Sequence, residues 1–379
     1  MRVVLDATAV PADRGGVGRY VDALVPALLR TGVDLVVACQ PRDLALFAAA
    51  APGADLVAAP ASVVRRPARL AWEQLGLPRL VRAVAADVLH SPHYTMPVRP
   101  GVPTVVTLHD ATFFSHPALH SPLKRRFFTA ATVRAVRRAD ALVVPSQATG
   151  REVRRHAGGE PGLFHVAYHG VDTSLFHVVD EHERARVRAT LGVDGAYVAF
   201  LGTLEPRKNV PALVRGWAAA VHDTVDPPAL VLAGGRGWDE QVAPAVEQVR
   251  REHPHLQVQV PGYLPLEHLP GYLAGAEVVA YPSLGEGFGL PVLEAMACGA
   301  VVLTSRELSL PEVGGDAVAY CGTDEGSIAA SLRALLADPA RRRALAAAAV
   351  ERAATFDWDA TARSHVRAYE AAVRAGGSR

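Results

Sequence analysis

Short apolar runs rich in β-branched residues alternate with amphipathic stretches along nearly the whole chain, and that alternation leaves few folds open. In the first half the runs are "RVVLDA" (2–7), "VDLVVAC" (33–39), "DVLHSP" (87–92), "PTVVTLHD" (103–110), "ALVVPS" (141–146) and "FHVAYHG" (164–170). In the second they are "AYVAFLGTL" (196–204), "ALVLAGG" (229–235), "VQVPGY" (258–263), "EVVAYPS" (277–283) and "AVVLTS" (300–305). The runs are continuously apolar, so they read as parallel strands covered on both faces. Stretches such as "RYVDALVPALLRTG" (19–32), with Gly32 as C-cap, supply the covering helices. The pattern restarts near residue 196, after the polar segment "DEHERARVRATLGVDG" (180–195). The expected fold is α/β: two Rossmann-like, doubly wound parallel-sheet domains, residues 1–175 and 176–379, with a last helix at about 358–375 returning to the first. Ligands in such sheets bind beyond the carboxyl ends of the strands, so two facing domains are expected to enclose a cleft.

A length of 379 residues suits two domains, and the hydrophobic half of the composition excludes bulk disorder. No apolar run approaches the roughly 20 residues of a membrane span, and Asp6 and Pro11 interrupt the N-terminus too early for a secretory signal. Cys39, Cys298 and Cys321 are few, odd in number and far apart, which argues against a disulfide framework and for a reducing cytoplasm. The net charge of +1 conceals a basic first half and an acidic second half. It gives no general affinity for nucleic acid, and no recognition module appears.

Three strand ends carry the chemistry. "GEGFGLPVLEAMACG" (285–299) follows "EVVAYPS" and sets Glu286 in a glycine-flanked loop, with Pro291 in the first turn of a helix that also bears Glu294. The amides of Gly287, Phe288, Gly289 and Leu290 lie where a helix start favours a phosphate. Two carboxylates beside a phosphate suit neutral hydroxyl groups, which donate hydrogen bonds to them. The second end, "FLGTLEPRKNV" (200–210), brings Arg207 and Lys208, a planar fork and a point charge, both fitted to a diphosphate. The third, "LAGGRGWDE" (232–240), lets backbone at Gly234 approach a nucleoside. Sugar, diphosphate and nucleoside are the parts of one molecule. Each piece also has an ordinary reading as a solvated turn or a helix-start glutamate.

Taken together these blocks resemble the retaining glycosyltransferases of family 4, which have the GT-B fold of two facing Rossmann-like domains. The E-x7-E spacing of Glu286 and Glu294 within "PSLGEGFGLPVLEAMACG" is the most specific part of the match. "GTLEPRKN" (202–209), "GGVGRY" (15–20), "TLHD" (107–110), "RLAWEQLGLP" (69–78) and "FDWDATARSHVRAYE" (356–370) are similar to further blocks of that family. The resemblance implies that Glu286 holds hydroxyls of the donor sugar and Glu294 the ribose. Arg207 and Lys208 would neutralise the departing diphosphate, with backbone at Gly202 and Thr203 beside it. Gly16 would approach the phosphate or sugar, and His109 would sit near the reacting carbon. Backbone near Tyr263 and Leu264 would read the base. Arg19, Tyr20, His93, Tyr94 and Asp110 are expected on the acceptor side. Many members carry arginine where Thr203 stands here, so Arg207 must supply more of the positive charge. The "GTLEPRKN" form is most similar to mannosyl- and related hexosyltransferases, which points to GDP-mannose as donor.

The same resemblance implies transfer with retention, by front-side attack, because the sequence shows no nucleophile for a double displacement. No metal cofactor is expected. "DWD" (357–359) precedes a helix and reads as an N-cap, and neither "HSPH" (90–93) nor "HPALH" (116–120) has a convincing third ligand. The first reads as cleft lining, the second as a surface or acceptor loop. "SPLKRRFFTAATVRAVRRAD" (121–140) has two readings, a solvated helix with a buried aromatic pair or a basic face for an anionic membrane carrying a lipid-linked acceptor. The expected partners are a nucleotide-sugar donor and a glycan, lipid-linked or small-molecule acceptor. The competing functions are a nucleotide-sugar epimerase or hydrolase and a non-catalytic nucleotide-sugar-binding protein. Oxidoreduction with NAD is weaker, because "GGVGRY" lacks the G-x-G-x-x-G form.

Overall fold

The computed structural model describes residues 1–12 and 14–376. Among these, Arg2–Asp6 (β1), Asp34–Cys39 (β2), Asp55–Ala58 (β3), Val88–Ser91 (β4), Thr104–Thr107 (β5), Ala141–Val144 (β6) and Phe164–Val166 (β7) form one sheet. Its order is β3-β2-β1-β4-β5-β6-β7. Tyr197–Leu201 (β8), Ala229–Ala233 (β9), Val258–Gly262 (β10), Val278–Tyr281 (β11), Val302–Ser305 (β12) and Ala319–Cys321 (β13) form a second. Its order is β10-β9-β8-β11-β12-β13, and the strand pairs in both sheets are parallel.

In each sheet the chain winds outward from a central strand, then returns to its other side and winds the opposite way. The reversal falls between β1 and β4 in the first sheet and between β8 and β11 in the second. There the flanking loops diverge and leave a crevice at the carboxyl ends. The expected α/β pair of Rossmann-like units is therefore present. Two edge strands, β3 and β13, were not anticipated. They are only 4 and 3 residues long, and β3 is partly exposed along its length, so neither carries a long apolar run.

Side-chain alternation along the strands fills both faces of the first sheet. Val3, Leu5, Leu35 and Val37 pack with Tyr20, Leu24 and Leu28 of the helix Gly16–Arg30 and with Ala368, Tyr369 and Ala372 of the closing helix Trp358–Gly376. The intervening Val4 and Val36 face Leu77 and Val81 on the other side. In the second sheet's helix layer, Gly216 sits where a Cβ would lie 2.9 Å from the Glu325 carbonyl oxygen. That absence lets helices Val210–Val221 and Glu325–Leu336 approach closely.

The chain divides into two compact units. One comprises Met1–Gly170 and the segment that begins at Asp357; the other is Val171–Phe356. Asp357 caps the closing helix by accepting from the amides of Asp359 and Ala360 at 3.0 and 3.2 Å, while Asp359 pairs with Arg30. Among the described residues, no helix is long and apolar enough to cross a membrane.

Candidate active site

In the second unit, the loops after β8 and β11 flank the reversal, and they carry the charged residues singled out above. Pro206–Lys208 forms a single 3-10 turn, closed by Asn209 in the left-handed region (φ 59°). The Asn209 amide donates to the carbonyls of Pro282 and Thr323 at 3.1 and 2.8 Å, and Leu284 N donates to Arg207 O at 2.9 Å. The two loops are thus tied together before their side chains meet.

Glu286 is buried and lies under both cations. Lys208 Nζ donates to its Oε1 at 2.7 Å, Ser283 Oγ donates to the same oxygen at 3.0 Å, and Arg207 donates to Oε2. Arg207 also pairs with Glu205, and Lys208 also reaches the Tyr281 hydroxyl at the end of β11. Burial favours the neutral form of Glu286, but Arg207 and Lys208 outweigh it and hold the carboxyl at about 2, below the ordinary 4.5. Lys208 is itself pushed below the usual amine range, first by burial and then by Arg207, against the opposing pull of Glu286 and Glu205. The arrangement differs from the expectation that Glu286 meets sugar hydroxyls. Its oxygens accept from the very cations read as diphosphate ligands, which leaves little acceptor capacity for a second task.

Ser309 fixes the rest of this loop, its one hydroxyl hydrogen shared between the carbonyls of Glu286 and Phe288 at 2.8 and 2.9 Å. Gly289, at φ 104°, turns the chain into the helix Leu290–Ala297, with Pro291 in its first turn as expected. Glu294 projects from that helix and is buried. Gly234 behaves differently from its reading. At φ 130° its missing Cβ would lie 2.1 Å from the Gly202 carbonyl oxygen, so backbone of the β8 loop occupies the space assigned to a nucleoside. Leu204 N donates to Gly235 O at 2.9 Å across the same seam, with Thr203 between Gly202 and Leu204. Tyr263 is 63% exposed, beyond β10, and Leu264 follows it half-buried.

In the first unit, Gly16 opens its helix with Gly15 as N-cap, and beyond the chain neighbours and the helix's own backbone no described atom lies within 4 Å of where either Cβ would be. Arg19 is half-buried in the first turn. Tyr20, read as an acceptor-side residue, is instead 1% exposed, its hydroxyl bonded to Thr107 Oγ1 at 3.0 Å and His365 Nε2 at 2.7 Å. Its place one helical repeat before Leu24 and Leu28 puts it on the buried stripe. His90, read as cleft lining, is also fully buried, between Thr107 and Tyr369.

His109 follows β5 and is half-buried, with Nε2 donating to the Pro92 carbonyl at 2.6 Å. Burial lowers its pKa to about 4, despite the Pro92 bond and nearby Asp110, so the ring is neutral at pH 7 and Nδ1 is the nitrogen without a proton. The Tyr94 hydroxyl accepts from Asp110 N at 2.8 Å and donates to Asp110 O at 3.2 Å, while Asp110 Oδ1 receives Thr112 N at 3.2 Å. His93 lies 6.0 Å from His109, ring centre to ring centre. Tyr94 is therefore a buried support of the strand-end loop rather than an exposed contact.

The π-turn Trp72–Gly76 supports the same region and was not anticipated as a clamp. Its buried Glu73 accepts from Arg69 at 3.0 Å and Thr95 Oγ1 at 2.5 Å, and Gln74 Oε1 accepts from Val98 N at 2.8 Å. These bonds pin the loop that carries His93 and Tyr94. The i,i+4 spacing of Arg69 and Glu73 was the available signal. Among the described residues, no three His, Cys, Asp or Glu side chains gather as a metal site.

Comparison with known proteins agrees with this architecture. The family described as Glycosyltransferase Family 4 matches residues 14–175, and Glycosyl transferases group 1 matches residues 182–352. The chain is 31% identical over 314 residues to the O-antigen chain mannosyltransferase B of Escherichia coli, covering 80% of this chain and 77% of that one. It is 30% identical to the D-inositol 3-phosphate glycosyltransferase of Acidothermus cellulolyticus, covering 95% and 86%. Among solved structures, Anabaena HepE in complex with UDP and glucose superposes with a TM-score of 0.75 at 19% identity, covering 97% and 98%, which shows a shared GT-B fold. On these grounds the chain belongs to glycosyltransferase family 4 and is a glycosyltransferase.

Proposed function

We propose that the protein transfers a hexosyl group, with retention, from a nucleotide-sugar to a hydroxyl of a glycan, glycolipid or natural-product acceptor, and that the donor is GDP-mannose. The observation that carries this reading is the convergence of Arg207, Lys208 and Glu286 where the β8 and β11 loops flank the reversal. Two cations, braced by Glu286 and at Arg207 also by Glu205, present fixed donors to a departing diphosphate, and groups held in place need no reorganisation as the bond breaks. The amides of Gly287 to Leu290 add helix-start dipoles. Glu294 takes the ribose, backbone at Gly202 and Thr203 lines the nucleotide with Gly234 packed behind Gly202, and Tyr263 with Leu264 meets the base. Gly16 leaves room for the phosphate or sugar. His109, neutral and with a bare Nδ1, accepts from a sugar hydroxyl near the reacting carbon. The leaving phosphate oxygen then takes the acceptor's proton, without a metal ion.

The mannosyl donor rests on the "GTLEPRKN" block and on the Escherichia coli relative, which is named a mannosyltransferase. HepE was solved with UDP-glucose, which makes a uridine donor the competing outcome. A thermal-shift panel of GDP-, UDP-, dTDP- and ADP-sugars decides it. Donor at 100 times its Kd stabilises by about 2.7 kcal/mol, and a shift with UDP-glucose but none with GDP-mannose would exclude the mannosyl reading. Products formed from donor alone separate transfer from epimerisation. NMR of the product anomer tests retention, and activity retained in EDTA tests the metal-free mechanism.

A membrane-borne acceptor fits the helix Pro122–Arg138. Leu123 is 81% and Phe127 42% exposed beside exposed Lys124, Arg125 and Arg126, while Phe128 packs against Tyr94. Co-sedimentation with anionic vesicles at low salt, lost on Leu123→Glu, is the expected result.

A further inference from the structure

Five hydrogen bonds link the closing helix to the strand that leads to His109, and only one order of protons satisfies them all. The Thr361 carbonyl can only accept, so His365 Nδ1, 2.8 Å away, carries the hydrogen. A neutral imidazole has one proton, hence His365 Nε2 accepts, and the Tyr20 hydroxyl donates to it at 2.7 Å. The Tyr20 oxygen then receives the Thr107 hydroxyl at 3.0 Å. Thr107 Oγ1 in turn receives His90 Nε2–H at 2.8 Å, and His90 Nδ1 accepts the Tyr369 hydroxyl at 2.9 Å. Burial keeps both rings neutral, lowering His365 to about 4 and His90 well below its ordinary value.

The chain of bonds begins and ends on the closing helix and passes beside His109, which it meets through the Tyr20 ring. Thr107 is the last residue of β5, two positions before His109. The Tyr20 ring meets His109 edge-on with centroids 4.9 Å apart, and it also meets His169 at 5.0 Å. His109 is thus gripped by Pro92 at its nitrogen, by Tyr94 at the next peptide and by Tyr20 at its face. Apolar residues of equal volume could fill such a core at no loss of stability. A polar chain with a single proton order instead fixes where each ring sits.

We propose that Tyr20, Thr107 and His365 are positioning residues that hold His109 in register for sugar transfer, through this one-directional chain from the closing helix. The proposal rests on the reading of His109 as a donor contact. It extends the active site to side chains up to 345 residues apart in sequence.

Long-range 1H–15N NMR of the full chain reads the histidine tautomers directly. The expected result is Nδ1–H at His365 and Nε2–H at His90, and the opposite tautomer at His365 overturns the proposal. Activity is followed as nucleoside diphosphate released from GDP-mannose or UDP-glucose, whichever the thermal panel selects. Thr107→Val and Tyr20→Phe, which keep shape and lose the hydroxyl, are expected to lower kcat about tenfold to a hundredfold. Donor KM should change little, the melting temperature should fall by only about 2–4 °C, and Thr107→Ser should restore kcat. An inactive His109→Ala beside fully active Thr107→Val and Tyr20→Phe would overturn the proposal alone. A fully active His109→Ala would overturn the reading of His109, and the proposal with it.

Discussion

At the carboxyl end of β11, Glu286 is held by two positive charges; at the end of β5, His109 is held by a backbone carbonyl and a ring face. The first arrangement is an ion cluster with an ionised carboxylate at its centre, the second a neutral network in which burial suppresses charge on every histidine. The difference follows from the tasks proposed for them. Stabilising a departing diphosphate needs charge, whereas orienting a hydroxyl acceptor needs geometry. The physical cost differs too. Removing one member of a buried ion cluster strands the others, while removing one hydroxyl from a neutral chain costs little more than one hydrogen bond.

The largest effect should come from neutralising the centre of the ion cluster. Glu286→Gln keeps the shape but leaves Lys208 uncompensated and Arg207 with Glu205 alone, and should destabilise Val171–Phe356 by about 3–5 kcal/mol in denaturant. Tyr20→Phe in the neutral network should cost about 1 kcal/mol. Equal losses would break the contrast. Next, Arg207→Ala should lower kcat about 10²–10³-fold, because one fixed charge on the leaving diphosphate disappears. Arg207→Lys should recover part of it, since a point charge replaces the fork. A third substitution probes backbone rather than charge. Gly234→Ala places a methyl against the Gly202 carbonyl at a positive φ, and should cost about 1–3 kcal/mol and weaken donor binding in a thermal-shift assay.

The last comparison separates the units by pH. His109 and His365 have folded pKa values near 4, below their ordinary 6.5. The unfolded chain therefore binds more protons in that window, and their contribution declines as pH falls from 6.5 to 4. Glu286 has a lowered carboxyl pKa, so its contribution is present above about 4.5 and declines as pH falls toward 2. Hydrogen exchange across this range should show Met1–Gly170 loosening first. Simultaneous loosening would mean that the two sites do not titrate separately.

Legibility differed between the sites for the same reason. The ion cluster is built from short motifs at strand ends, so Arg207, Lys208 and Glu286 were each visible locally. Their mutual pairing was not, because 78 residues separate Lys208 from Glu286 and only the sheet order brings them together. Gly234 was recognised as a glycine with a purpose, yet that purpose is contact with Gly202 rather than with a ligand. The neutral network was harder. Tyr20 adjoins a glycine-rich turn and reads as an acceptor-side residue, although its spacing to Leu24 and Leu28 marks it as interior. Nothing local to His365 announces Tyr20 as its neighbour. The long apolar strands were plain, while β3 and β13 were too short and too near the edges to register.

The interruption of the first unit by Val171–Phe356 has a consequence for synthesis. The two crossings run side by side: Val171 N donates to Phe356 O at 3.1 Å, and Gly170 lies so near Trp358 that a Cβ would sit 2.3 Å from its nitrogen. On the ribosome, the first-made sheet must wait for the last-made helix, because Ala368, Tyr369 and Ala372 complete its apolar layer. The inserted unit has all of its strands earlier. The first unit is therefore expected to complete its core after the inserted one, a reversal of the usual N-to-C order of domain folding.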